Sequence, residues 1–413
     1  MANIPSWEKV YGFGMKNLGT LTNTAASVRE ALFTADCNRP GWWIGATASV
    51  DTGGTTYNGV GDWWQVFLNN VPNMDPGQEI IEKEKSTGKP FRDGLEYQSG
   101  VKAAKVTVEM DVTVSEIIPL LWAFCGSMGS VGSGVFEKCF LPYVKETAST
   151  YTLGTWLMNT DFTGLDFDDF RDHDYGANEG ICLNVYEYVP SVPTISYLNS
   201  GVPTTLNFSS EENGTLTVSS ELVGHSIQTT GTFEGSLASA TRPTGAALIT
   251  PLLHQNAAFV YEIDADGTFL RSGMSSLATK NFSLNLTNNA NVDFFDEQSA
   301  QAIIMQKFGG TIELTFQWDG TTTWRDAHEN NQYATVNAVW EYSGSGINND
   351  TLAGTWAAGD FAIGMTFRVT GYERTSEAQV MEKITGEIVA VGTNTPIMFK
   401  LADGIGWDSD IQD

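Results

Sequence analysis

The stretch KVTVEMDVTVSEIIPLLWAFCG occupies residues 105–126. In it Val106, Val108, Met110, Val112 and Val114 alternate with Lys105, Thr107, Glu109, Asp111 and Thr113. Successive side chains on a strand point to opposite faces, so this strand has one apolar face and one wet face. From Ser115 to about Cys125 the period becomes helical. Ile117, Leu120, Leu121 and Phe124 make an apolar stripe, Ser115 can cap the helix, and Pro119 is tolerated in its first turns. The same succession recurs further on. Ile312, Leu314, Phe316 and Trp318 alternate with Thr311, Glu313, Thr315 and Gln317. A turn at Asp319-Gly320 follows, and then a helix-compatible stretch from Thr323 to about Asn330. A recurring strand-then-helix unit predicts a mainly β chain built as two related halves, a building block rather than an enzyme.

Working outward, other elements fall into place. Ile181 to Tyr188 reads as a strand, and Thr204–Ser210 with Thr215–Val223 reads as a hairpin. Asn213-Gly214 between them is expected to supply positive φ angles. Phe259–Ile263, Phe282–Leu286, Ala334–Tyr342, Ile363–Tyr372, Ile384–Val391 and Ile397–Leu401 are strand-like, with a turn at Asp266-Gly267. Gly126–Gly134 (GSMGSVGSG) reads as a flexible connection and Ser236–Gly245 as a linker. Ala25–Phe33 suits a short helix and Trp42–Val50 a strand. Residues 51–100 read mostly as loop, and long loops that carry aromatics tend to be functional. The expected divisions are 1–100 (an N-terminal arm, a first strand and a long loop), 101–235 (the rest of a first β repeat) and 236–413 (a second).

Composition narrows the function. The chain has 49 acidic against 22 basic residues, a formal net charge of −27, and no cluster of Lys or Arg. Gripping nucleic acid by its phosphates needs clustered positive charge, so specific DNA binding is not expected. An acidic wall would instead repel phosphates and let the polymer slide. The four cysteines, Cys37, Cys125, Cys139 and Cys182, form no C-x-x-C pair and no zinc spacing. Cys125 reads as a core thiol. No apolar run approaches the roughly 18 residues of a membrane helix, and the first residues have no signal-peptide core, so a membrane role is not expected.

Catalytic signatures are missing. There is no G-x-S-x-G, no H-E-x-x-H and no Walker loop, and His173, His225, His254 and His328 are scattered. No catalytic residue and no cofactor is therefore assigned. The densest carboxylate group runs from Asp161 to Asp174. Asp166, Asp168 and Asp172 are its calcium candidates, set against a plain solvated acidic loop because the EF-hand spacing is missing. Asp264-x-Asp266-Gly267 is read as a hairpin turn rather than a metal loop. Trp42 and Trp43, at the start of the expected strand, and Trp63 and Trp64, in the long loop, are the candidate contact residues.

In order and type the elements resemble the major tail tube proteins of long-tailed bacterial and archaeal viruses. The resemblance rests on residues 105–126, the hairpin TTLNFSSEENGTLTVSSELVG (204–224), SLNLTNNANVDF (283–294) and GGTIELTFQWDG (309–320), and spans roughly residues 95–345. It implies a β-sandwich or half-barrel with a flanking short helix, whose sheets join side by side into a ring. Rings stack into a hollow tube in the virion tail, after assembly in the host cytoplasm. The implied partners are further copies of the chain, as a trimeric ring with pseudo-sixfold symmetry or as a hexamer. A tail terminator, a tape measure protein and distal tail proteins join them, and viral DNA passes through without specific binding. The Trp pairs would then make inter-ring contacts. Three alternatives stay open: another virion ring, baseplate or decoration protein; a carbohydrate-binding β-sandwich using the Trp pairs; and a hydrolase using the Asp161–Asp174 carboxylates.

Overall fold

The computed structural model describes residues 9–17, 64–82, 97–131, 137–142, 181–189, 194–224, 226–230, 246–289, 291–293, 302–304, 308–342, 346–376, 379–391 and 396–402. In chain order the first elements are β1 (Val10–Asn17), β2 (Trp64–Val66), β3 (Gln78–Glu82), β4 (Tyr97–Lys102), β5 (Ala104–Asp111) and helix α1 (Ile118–Cys125). Then come β6 (Gly126–Val131), β7 (Glu137–Pro142), β8 (Ile181–Val189), β9 (Thr194–Pro203), β10 (Thr205–Glu211), β11 (Thr217–Gly224) and β12 (Ser226–Thr230). The rest are α2 (Ala246–Ile249), β13 (Ala257–Asp264), β14 (Ser275–Ser276), β15 (Thr279–Thr287), β16 (Asn291–Asp293), β17 (Ala302–Ile304), β18 (Gly309–Gln317) and α3 (Thr323–Glu329). They are followed by β19 (Tyr333–Trp340), β20 (Gly346–Asn348), β21 (Ala353–Thr355), β22 (Phe361–Ser376), β23 (Val380–Ile388) and β24 (Ile397–Ala402). The protein is mainly β, and every ladder among the described residues is antiparallel.

The large sheet closes on itself twice. In the first half β1 pairs with β2, and the chain leaving β2 runs from Asn69 to Gly77 along the edge of β5. β5 pairs with β11, β11 and β12 pair with β9 and β10, β9 pairs with β8, and β8 returns to β1. In the second half β13 pairs with β14, which runs on into β15, and β15 pairs with β18. β18 pairs with β23, β23 with β22, β22 with β19, and β19 returns to β13. Two ladders join the circuits: β10 to β15, and β7 to β24.

The alternating strands are the ones the sequence periodicity marked. β5 buries Val106, Val108 and Met110 and exposes Lys105, Thr107 and Glu109. Opposed faces meet through large rings. Phe208 on β10 lies 5.5 Å from Phe399 on β24, and Trp340 on β19 lies 6.3 Å from Phe282 on β15. Each such ring, fully buried, contributes roughly 1.5–3 kcal/mol of transfer free energy. Both helices follow their strands as expected. The turn into α1 is closed by Thr113. Thr113 Oγ1 accepts from the Glu116 backbone N–H at 3.3 Å and donates to the Glu116 carboxylate at 3.1 Å. Cys125 is buried at the end of α1 as a free thiol, and burial pushes its pKa up, away from a reactive thiolate.

Three expectations need correction. Gly126–Val131 is a strand, paired with Glu137–Pro142, and not a flexible connection. β7 is itself held by β24, so backbone bonds carry β6 without any side-chain pattern. Residues 64–66, 78–82 and 97–100 are strand within the stretch read as loop. The hairpin stands, but its turn has no positive φ at Asn213 or Gly214. Gly214 N–H donates to the Glu211 carbonyl at 2.8 Å, and the turn widens because Leu252 inserts beside it. Leu216 N–H bonds the Leu252 carbonyl at 2.7 Å, and Leu252 N–H bonds the Val112 carbonyl at 3.0 Å. The Asp266-Gly267 turn is as expected. Gly267 has φ +74°, and the Asp264 carboxylate accepts from the N–H groups of Asp266 and Thr268.

Candidate functional site

β9 and β10 are nearly continuous, as are β11 and β12, so residues 194–230 form one long hairpin shared by two parts of the sheet. The register slips by one residue between Pro203↔Leu222 and Asn207↔Ser219. Threonine side chains patch the slip. The Glu221 carbonyl accepts from both the N–H and the hydroxyl of Thr204, and the Glu221 N–H donates to the Thr205 hydroxyl. A bulge of this kind bends a strand and re-aims it. It turns β10 away from β9 and into line with β15.

The result is one continuous run of eight strands or strand-like segments: Asn69–Gly77, β5, β11, β10, β15, β18, β23 and the distal part of β22. One side of this run is core and the other is open. The open side is hydroxyl- and amide-rich: Asn207 lies opposite Asn285, Ser209 opposite Ser283, and Thr311 next to Asn285 on its other flank. Its carboxylates are Asp75, Glu109, Asp111, Glu211, Glu221, Glu313, Glu373 and Glu387, against the cations Lys105, Arg368 and Lys383. Two of these cations are paired, Lys383 to Glu313 at 2.9 Å and Lys105 to Glu221 at 3.3 Å. A shallow depression of about 820 Å³ runs over Thr205, Asn207, Asn285, Thr311 and Thr385. The face is polar, mildly acidic and free of clustered positive charge.

The run ends in two edges. Val369 N–H still bonds the Gln332 carbonyl, but beyond it the outer edge of β22 has no ladder partner among the described residues. The outer edge of Asn69–Gly77 has none either. Phe67 and Val71, each about half exposed, lie on or beside that segment. The tip of β22 is braced from its inner side. Arg374 stacks 3.4 Å over the Trp318 ring, and the Tyr372 hydroxyl donates to Glu382 at 2.6 Å. Burial, then the Glu382 carboxylate, pushes the Tyr372 phenol up to about 12. A raised pKa contributes stability that is whole below the ordinary tyrosine value near 10 and lost as pH rises through about 12. The melting-temperature gap between wild type and Tyr372→Phe should therefore be constant up to about pH 10 and shrink between about pH 10 and 12. A constant gap across that window would show that the folded phenol titrates at its ordinary value.

Of the residues singled out from sequence, Trp64 lies on β2 opposite Phe13. Trp42, Trp43, Trp63, Asp166, Asp168 and Asp172 fall outside the described residues. His254 is a packing residue: Nε2 donates to the Thr279 carbonyl at 2.9 Å, leaving Nδ1 to accept from Ser210 at 2.8 Å. Among the described residues no group of three or more His, Cys, Asp or Glu is placed to hold a metal, and no helix is long and apolar enough to cross a membrane. Sequence reasoning missed the two open edges. No local pattern marks them, because an edge is defined by which strands are not beside it. The open face was legible in part, through the alternation of Thr311, Glu313 and Thr315. The chain matches no protein-family model, and no curated protein matches it.

Proposed function

We propose that the chain is the structural subunit of a viral tail tube, with no catalytic role. In this reading each chain carries two copies of one β unit, and three chains close a pseudo-sixfold ring that stacks into a conduit for DNA. The observation that carries the reading is the matching circuitry of the two halves. Numbering only the circuit strands of each half in chain order, and counting β2 with Asn69–Gly77, β9 with β10, β11 with β12 and β14 with β15 as single strands, both run one–two–three–six–five–four and back to one. Both place a helix after the third strand, and a small ladder between the second and third, β3–β4 in one and β16–β17 in the other. The continuous run then reads second, third, sixth, fifth, twice over. Three chains would line a ring of twenty-four strands, eight from each.

The open face suits a conduit. Hydroxyls, amides and excess carboxylates offer phosphates no counter-charge, so DNA would slide rather than stick. The ring must also overcome mutual repulsion among chains of net charge −27, so assembly should improve with salt. Electron microscopy of purified protein at low and high salt tests the reading. Stacked hollow rings with three chains each are expected; monomers under every condition would remove it.

The face itself can be tested on assembled tubes. The triple variant Asn207→Lys, Asn285→Lys, Thr311→Lys should retain short duplex DNA at low salt, with log affinity falling by about 0.9 per log unit of salt for each phosphate engaged. Wild-type tubes should retain none. Equal retention by both would mean that this face does not line the lumen.

A further inference from the structure

The open edge beyond Val369 has an internal precedent. β10 and the distal part of β22 hold the same position in their circuits, each the outer half of the fifth strand. On β10 that edge is filled: β15 pairs along it from Thr205↔Thr287 to Glu211↔Asn281. β15 is the second strand of its own circuit. The second strand of the other circuit is Asn69–Gly77, and its matching edge is the open one. The chain thus shows one complete junction and, at its two ends, the separated halves of another.

We infer that Thr370–Ser376 of one chain pairs antiparallel with Asn69–Gly77 of a second copy, repeating the β10–β15 junction between chains. The inference rests on the tube reading and names the seam that would close its ring. Exposed edges are normally blunted or covered, and here each edge is the cover of the other. Pro72 and Pro76 donate no backbone bond, so this seam makes fewer ladder bonds than the internal one. Phe67 and Val71, exposed in the single chain, supply apolar contact in place of those bonds.

Asn73 and Thr375 are both exposed and lie on the two edges. The double variant Asn73→Cys, Thr375→Cys, treated with a flexible bismaleimide, should give a covalent ladder that ends at three chains. Each single variant reports the background from native cysteines and should give none. Val71→Asp should melt like wild type yet need about tenfold more protein to form rings. Rings seen by microscopy without a double-variant ladder, or wild-type assembly by Val71→Asp, would each overturn the seam while leaving the tube reading intact. Absence of rings in wild type under all salt conditions would overturn both.

Discussion

Val108→Asp leaves no folded protein. Val108 is fully buried on β5, opposite Ser220 of β11, in the core that the first circuit encloses. An aspartate there has no cation to pair with and must either ionise in an apolar interior or fold only when protonated. The effective penalty for an unpaired buried charge is several kcal/mol, against a total stability of about 5–15 kcal/mol for a typical domain. The neighbouring Thr107→Asp is the control. Thr107 is exposed on the open face, opposite Glu221, so like charges meet across the strand pair at a cost of about 1 kcal/mol or less. Circular dichroism and soluble yield of the two variants separate the outcomes. A folded Val108→Asp would mean that β5 can turn over in its register.

Trp340→Ala is the second large effect, with an expected loss of about 3–5 kcal/mol. Trp340 is fully buried at the end of β19, with the rings of Phe361, Phe259 and Phe282 at 5.8, 5.9 and 6.3 Å. Removing it opens a cavity between three strands that cannot all close in together. Its indole N–H finds no acceptor, so Trp340→Phe removes an unsatisfied donor together with part of the ring. The phenylalanine variant should cost clearly less than the alanine one in denaturant titration. Equal losses would locate the energy in the indole's outer ring rather than in the filling of the cavity.

Why some of this was legible and some not follows from the range of each signal. Alternation in β5 and β18 is written in adjacent residues, and so is the stripe of α1, because a strand half-buried against a core must alternate. β6 is mostly glycine and serine, paired to β7, which β24 holds in turn, so its own residues carry little such mark. The turn at Asn213-Gly214 had the right residues for a tight hairpin, but Leu252, far along the chain, took up the bonds that a tight turn would have closed. The wet face of the long run could be read strand by strand. Its continuity could not, because it depends on β10 meeting β15 across some 75 residues of intervening chain. The open edges sit at the far end of that scale.

The first circuit closes late in synthesis. β1 finishes its ladder only when Tyr188 comes to lie opposite Val10, roughly 180 residues after the strand leaves the ribosome. At about 5–20 residues per second, that is on the order of ten to forty seconds during which β1 has no partner on β8. β5 waits in the same way for β11. A nascent chain with unpaired strands is most exposed to its identical neighbours on the same messenger, whose strands fit it equally well. Translation speed and chaperone capacity would then govern yield more strongly than the stability of the finished protein.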